Sequence, residues 1–426
     1  MEIKITDPDG NVLDSIIVPD TVDIAESNEV HNTSIFLSPA FCHSFREAVN
    51  SSPIFWRDSK YMKSYHLCCA VMDRLDTCIE KLNKYGDYPD SEEDFLVFMM
   101  FASMATDAVK EILSQLGIHK KKDPIYGSEN DFEHFFPFYL SSKVYNMEAP
   151  QPTDDEFFEY FRSLSFAHPA ETSRQKFKRA GEVQYSPWVI VNRKAMQLRG
   201  YEDGVGVRIY TSLSEDILDL CFPFSTLKNY IRSRYERIAL ATRWVYDQID
   251  HAKTEWRKRK INRNQSPLEI IQEADQILDS RCEENYPLKE AIRYLACDLT
   301  NASNLPAVNI FRKSIIDVIP SICDAVDCLN HNLAEELCYQ LYDRPAVMHQ
   351  FASYQMEKIF NYLGDNPSPH ADSEVIFALQ QAQYFSEGFA KKWVNIDVKN
   401  MSHTEIQLLV RVACFLEKEA QKNSTP

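Results

Sequence analysis

A chain of 426 residues, 44% of them hydrophobic, can bury more than one core, and its ten glycines argue against a glycine-rich β architecture. No run of about 18 apolar residues occurs, so no membrane-spanning helix is expected. The formal net charge of −17 is unevenly spread: residues 162–263 hold 20 Lys and Arg against 11 Asp and Glu, a net of +9, and the remainder carries −26. A basic island in an acidic body points to an anionic partner, or to neutralisation of acidic surface on this chain or a second subunit.

The first residues, Met1 to Asp7, alternate polar and apolar and turn acidic, which does not read as a signal peptide. Eleven cysteines, odd in number and without framework spacing, read as reduced thiols of a cytoplasmic protein. Residues 1–20 fit a β-hairpin: Ile3 and Ile5 alternate with polar neighbours, Asp9-Gly10-Asn11 supplies the turn, and Val12 to Val18 returns. Residues 21–57 show no dominant period.

Apolar positions at three and four spacing predict a helix over 60–84 (Tyr61, Tyr65, Cys68, Met72, Leu75, Leu82), stopped by Gly86 and Pro89. A second helix begins near Ser91 with Glu92, Glu93 and Asp94 in its first turn, and ends at Leu116 before Gly117. Residues 119–131 and 145–155 read as linkers. A third helix starts at Thr153 or Asp154. Pro169 ends it and biases His168 out of the α region, to the helix exit.

Val183 to Val191, Gly204 to Thr211 and Ile217 to Phe222 predict a small antiparallel sheet, with Pro187 marking an edge or a bulge. From Pro223 an apolar stripe predicts one long helix to about Lys260, which would span roughly 55 Å. Residues 267–426 read as helices at 267–283, 287–299, 306–330, 332–342, 345–363, 372–396 and 402–421. The expected fold is mainly α. It comprises an N-terminal hairpin and irregular segment (1–57), a helical domain (58–182), a small β insertion (183–222), a long connecting helix with a basic end (223–263) and an all-helical C-terminal domain (264–426).

Chemistry concentrates at Arg162-Ser163-Leu164-Ser165-Phe166-Ala167-His168. A guanidinium can hold a phosphodiester bidentately. A neutral imidazole can take the proton of a ribose 2′-hydroxyl or protonate a leaving 5′-oxygen. Arg174, Lys176, Lys178 and Arg179 follow directly as a phosphate-friendly rim. A second basic cluster, Arg257, Lys258, Arg259 and Lys260 beside Trp256, could hold nucleic-acid backbone or be the solvated end of a helix. The plainer reading of the first cluster is a helix-terminal pair, in which Arg162 bridges to Glu159 or Asp155 and His168 caps the helix or bonds a loop carbonyl.

The Arg162–His168 spacing resembles the R-x(4–6)-H motif of the HEPN superfamily (higher eukaryote and prokaryote nucleotide-binding domains), and the helices at 60–84 and 91–117 fit the resemblance. It implies an all-helical, dimerising, metal-independent endoribonuclease of the kind found in bacterial toxins and antiviral defence. Arg162 would bind the scissile phosphate, His168 would be the catalytic histidine, and Ser163 would fill the polar position after the arginine. A second match, Arg344 to His349, reads as coincidence because Pro345 looks like a first helical residue. No phosphate-binding glycine loop or G-x-S-x-G elbow is present, and Cys323, Cys328, His331 and Cys338 read as core residues, so no cofactor or metal is expected. The alternative function is a non-catalytic interaction protein binding protein partners through the long helix and the acidic C-terminal domain.

Overall fold

A computed structural model describes residues 2–6, 12–17, 35–118, 122–142, 144, 150–167, 175–179, 181–213, 217–364 and 371–424. The fold is mainly α, as expected. Strand β1 (Glu2–Thr6) pairs antiparallel with β2 (Val12–Ile17), Glu2 opposite Ile17, with a register shift between Ile5 and Thr6. The turn at Asp9-Gly10-Asn11 lies outside the described residues.

The stretch without a period holds two short helices, α1 (Ala40–Asn50) and α2 (Ile54–Arg57), each preceded by a proline, Pro39 and Pro53. Helices α3 (Ser59–Lys84) and α4 (Glu92–Gln115) begin and end within two residues of expectation. The Asp58 carboxylate accepts from the Lys60 N–H and the Ser91 hydroxyl from the Asp94 N–H, satisfying amides that the first turn cannot pair. Gly117, at φ +69°, takes the left-handed conformation that ends α4.

The apolar faces of α3 and α4 pack together, and two further helices join them, α5 (Phe136–Ser141) and α6 (Asp154–Arg162). The aromatic run at 135–139 is core material: Phe135 and Tyr139 are buried, and Phe135 stacks on Phe157 with centroids 4.6 Å apart. Each such ring contributes about 1.5–3 kcal/mol by burial.

The β insertion is a four-stranded antiparallel sheet. The pairs β3 (Gln184–Tyr185) and β4 (Val189–Ile190) share one edge of β5 (Gly204–Thr211), and β6 (Ile217–Pro223) takes the other edge. The strand expected over 183–191 is thus split at Pro187, whose ring nitrogen has no proton to donate to a ladder. A short helix, α7 (Arg193–Gln197), connects β4 to β5. Val205, Val207, Ile209, Leu220 and Phe222 are buried in the same core as α3 to α6, so the sheet's inner face completes the helical core.

The single long helix expected from Pro223 to Lys260 is instead two helices, α8 (Phe224–Glu236) and α9 (Ile238–Trp256), with a turn at Arg237. No proline or glycine marks the break. Arg237 is 1% exposed, and its guanidinium lies 3.4 Å from Glu129 of the 122–131 segment. That buried pairing coincides with the interruption of the helical ladder.

A second core spans Ile261 to Cys414. It is built from α10 (Pro267–Ser280), α11 (Tyr286–Ala296), α12 (Leu305–Asp327), α13 (His331–Gln340), α14 (Gln350–Tyr362), α15 (Ala371–Gly388) and α16 (His403–Ser424). Two expectations are corrected. Pro345 is not a first helical residue: α14 begins at Gln350, with the His349 ring accepting from the Phe351 N–H as its cap. The helix expected over 372–396 ends at Gly388, and a 3-10 turn, Ala390–Lys392, follows. The two cores meet where Arg57 pairs with Glu284 and where the Arg281 guanidinium lies 6.0 Å from the Trp256 ring. Among the described residues no helix is long and apolar enough to cross a membrane.

Candidate functional site

Nine residues are too few for an isolated helix in water, so α6 depends on its anchors. Thr153 and Glu156 form a reciprocal capping box: the Thr153 hydroxyl accepts from the Glu156 N–H at 3.1 Å, and the Glu156 carboxylate accepts from the Thr153 N–H at 3.0 Å. Asp154, 1% exposed, accepts from three backbone amides, those of Glu133 (3.0 Å), His134 (3.2 Å) and Phe135 (3.0 Å). One carboxylate thereby fixes the entry to α5 against the start of α6. Burial pulls the neighbouring His134 imidazole below its usual pKa, with the Asp154 charge pulling the other way.

Arg162 is the last residue of α6. Its Nη2 donates to Glu159 Oε2 at 2.6 Å and its Nη1 to Ser103 Oγ of α4 at 2.6 Å, with Asp107 3.7 Å away. Its side chain is 27% exposed, and Nε is buried without a hydrogen-bond partner. The chain then continues as a π-helical turn, Ser163–Ala167, a geometry that recurs at functional sites. Ser165 Oγ donates back to the Phe161 carbonyl at 2.8 Å.

The other nominated residues are dispersed. His168 and Arg174 lie outside the described residues. Ser163 and Lys178 are buried, at 4% and 6% exposure. Lys176 pairs with Glu156 at 2.6 Å, which puts it beside the first turn of α6, six residues and about 9 Å of helix rise from Arg162. Arg179 is exposed.

Arg257, Lys258, Arg259 and Lys260 are all exposed at the end of α9. Lys258 pairs with Glu255, and Lys260 donates to the Asp327 carbonyl of the second core. Trp256 packs against the first core and faces Arg281, so its ring is engaged within the chain. Among the described residues no cluster of His, Cys, Asp or Glu has the arrangement of a metal site. All eleven cysteines are free thiols.

Beside Arg162 the structure opens a cleft that the sequence reading missed. It lies between α4, the 122–131 segment, α6 and α8, a shallow cleft with a cavity volume of about 30 Å³. Its floor holds two nearly buried arginines, Arg234 and Arg237, at 8% and 1% exposure. Arg234 Nε donates to Asp155 Oδ1 at 2.5 Å, the Tyr230 hydroxyl donates to the same oxygen at 3.0 Å, and the guanidinium lies 5.1 Å from the Tyr230 ring. Burial opposes the Arg234 charge, but Asp155 outweighs it and the pKa rises above its usual value, so the side chain stays cationic. Burial pushes the Tyr230 phenol well up, with Asp155 adding to it. Asp107 and Glu159, the acids beside Arg162, also line this cleft, so the two guanidinium sites adjoin.

A signal for this cleft was available in the chain. The buried face of α8 runs Leu227, Tyr230, Ile231, Arg234, Tyr235, and an arginine at an apolar stripe position needs a buried partner. No protein-family model matches this chain, and neither a curated protein nor a solved structure does.

Proposed function

We propose that the protein is a metal-independent endoribonuclease of the HEPN type, with Arg162 and His168 as its acting pair. The observation that carries this reading is Arg162 itself. It sits at a helix end, opens into a π-helical turn, is partly solvent-accessible, and keeps an unpartnered Nε beside a cleft floored by further guanidinium groups. In the proposed reaction the ribose 2′-oxygen attacks phosphorus and the bond to the 5′-oxygen breaks. His168 takes the 2′-hydroxyl proton and returns a proton to the departing 5′-oxygen, leaving a 2′,3′-cyclic phosphate and a 5′-hydroxyl. Arg162 neutralises the charge that grows on the non-bridging oxygens. RNA is the partner this reading requires, and the resemblance behind it also calls for a second copy of the chain.

One observation favours a second reading, a non-catalytic interaction protein: Arg162 already bonds Glu159 and Ser103, as a purely structural helix-end arginine would. Purified protein incubated with labelled RNA in excess EDTA separates the two. Cleavage leaving cyclic phosphate ends, abolished in both Arg162→Ala and His168→Ala, is the expected result. Absence of cleavage by the wild type, together with growth arrest on expression that His168→Ala does not relieve, would favour the interaction protein.

A further inference from the structure

The cleft beside Arg162 is lined by a charged side chain whose donors are only partly paired within the chain. Arg234 is more than nine-tenths buried, its Nε is committed to Asp155, its Nη1 reaches Ser233 Oγ only at 3.5 Å, and its Nη2 is buried without a partner. A buried guanidinium N–H left unpaired by the protein is costly, and an anion drawn to the cleft that Arg234 lines would lower that cost.

The charges around it narrow the anion. Lys110, Arg234 and Arg237 line the cleft on one side of the count and Asp107, Glu129, Asp155 and Glu159 on the other. With Arg162 added at the rim, four cations meet four carboxylates. The surroundings therefore exert little long-range pull and oppose a dianion, while Arg234, whose side chain lines the cleft, and the exposed Lys110 supply contacts for a single negative charge. A phosphodiester carries one charge. A phosphate monoester or inorganic phosphate carries nearly two at neutral pH.

We infer that this cleft is a phosphodiester subsite in which Arg234 and Lys110 hold the backbone phosphate next to the one bound by Arg162. The inference rests on the nuclease reading for the identity of its ligand as RNA. It adds a positioning role for α8, since a strand held at two consecutive phosphates presents its 2′-hydroxyl in one orientation.

The test is fluorescence anisotropy of a labelled 2′-O-methyl oligoribonucleotide, which has diesters but cannot be cleaved, with the full-length wild type, Arg234→Lys and Lys110→Ala. Arg234→Lys, which keeps the charge and loses the guanidinium fork, is expected to weaken binding by about tenfold with the salt dependence unchanged, and Lys110→Ala by about threefold with the salt dependence shallower by about one phosphate contact. Inorganic phosphate is expected to compete only at tens of millimolar. Should Arg234→Lys fail to fold, the surface variant Lys110→Ala carries the test alone.

Unchanged affinity and salt slope in the folded variants would overturn the subsite. So would Arg234-dependent competition by inorganic phosphate below a millimolar, which would make the cleft a dianion site. RNA cleavage measured on the same preparations keeps the two ideas separate. Cleavage with unaltered KM in Arg234→Lys removes the subsite and leaves the nuclease. Arg234-dependent oligonucleotide binding without any wild-type cleavage removes the nuclease and leaves the subsite.

Discussion

Replacing Asp154 is the sharpest test of how α6, and with it Arg162, is held. Its carboxylate accepts three backbone N–H groups, two at Oδ2 from Glu133 and His134 and one at Oδ1 from Phe135, at 1% exposure. Hydrogen bonds to a charged acceptor contribute about 1.5–3 kcal/mol each, and a buried amide left unpaired costs about 1–3 kcal/mol. Simple addition for Asp154→Ala would give more than 4.5 kcal/mol; water entering the gap lowers this to about 4 kcal/mol. Asp154→Asn keeps an acceptor at the Oδ2 position for two of the three amides and should cost about 2 kcal/mol. At about 2–4 °C per kcal/mol for a unit of this size, the alanine variant melts roughly 8–16 °C lower. Urea denaturation followed by tryptophan fluorescence, in which Trp244 reports on the first core, measures both. An alanine variant within 1 kcal/mol of the wild type, or an asparagine variant as damaging as the alanine, would refute the reasoning.

Other outcomes follow from the same geometry. Glu159→Gln releases one charged partner of Arg162 and is expected to tighten oligonucleotide binding by about tenfold, read by anisotropy; weaker binding would show that Glu159 aims the guanidinium instead. Asp219 receives bonds from both Arg199 and Arg208, and although burial raises its pKa, the two guanidinium groups outweigh burial and hold it below the usual carboxylate range. Its stabilisation is therefore present above its unfolded value of about 3.9 and is lost as pH falls through the lower folded value. Asp219→Asn should cost about 1.5–3 kcal/mol at pH 7, with the gap to wild type closing below about pH 4 in melting curves. Burial pushes the thiols of Cys42, Cys68, Cys338 and Cys414 up to about 12. Native iodoacetamide treatment at mildly alkaline pH should label exposed Cys328 and leave those four intact, and mass spectrometry showing equal labelling of Cys42 would contradict their packing.

Long amphipathic helices were legible because their stripes repeat over several turns: α3, α4 and most of the second core lie where the spacing puts them. Helices α2 and α5 were not, since four and six residues hold too few repeats to establish a period, and the eleven residues of α1 lie in a stretch where no period stands out. The break between α8 and α9 was illegible for a different reason. The apolar stripe runs through it unbroken, and the cause is a tertiary contact between Arg237 and a glutamate more than a hundred residues earlier. Of the candidate site, the helix end at Arg162 and its bond to Glu159 could be read from i, i+3 spacing. Its contact with Ser103 depends on packing between α4 and α6, which no local pattern encodes, whereas the cleft over Arg234 left one trace, an arginine at an apolar-stripe position of α8.

The π-helical turn after Arg162 also sets an angular phase. Each residue of an α-helix advances the chain by about 100° around its axis. A π turn accommodates one residue more than an α turn between bonded groups. Because the extra residue is taken up within one turn, deleting a residue within 163–166 would let the segment relax to α geometry with nearly the same total rotation, while shifting the buried side chains of Ser163, Leu164 and Ser165 against their neighbours. The extra residue thus works as slack wound into one turn: it decides which side chains between Arg162 and Ala167 face the core, and a deletion there would disturb the packing around Leu164.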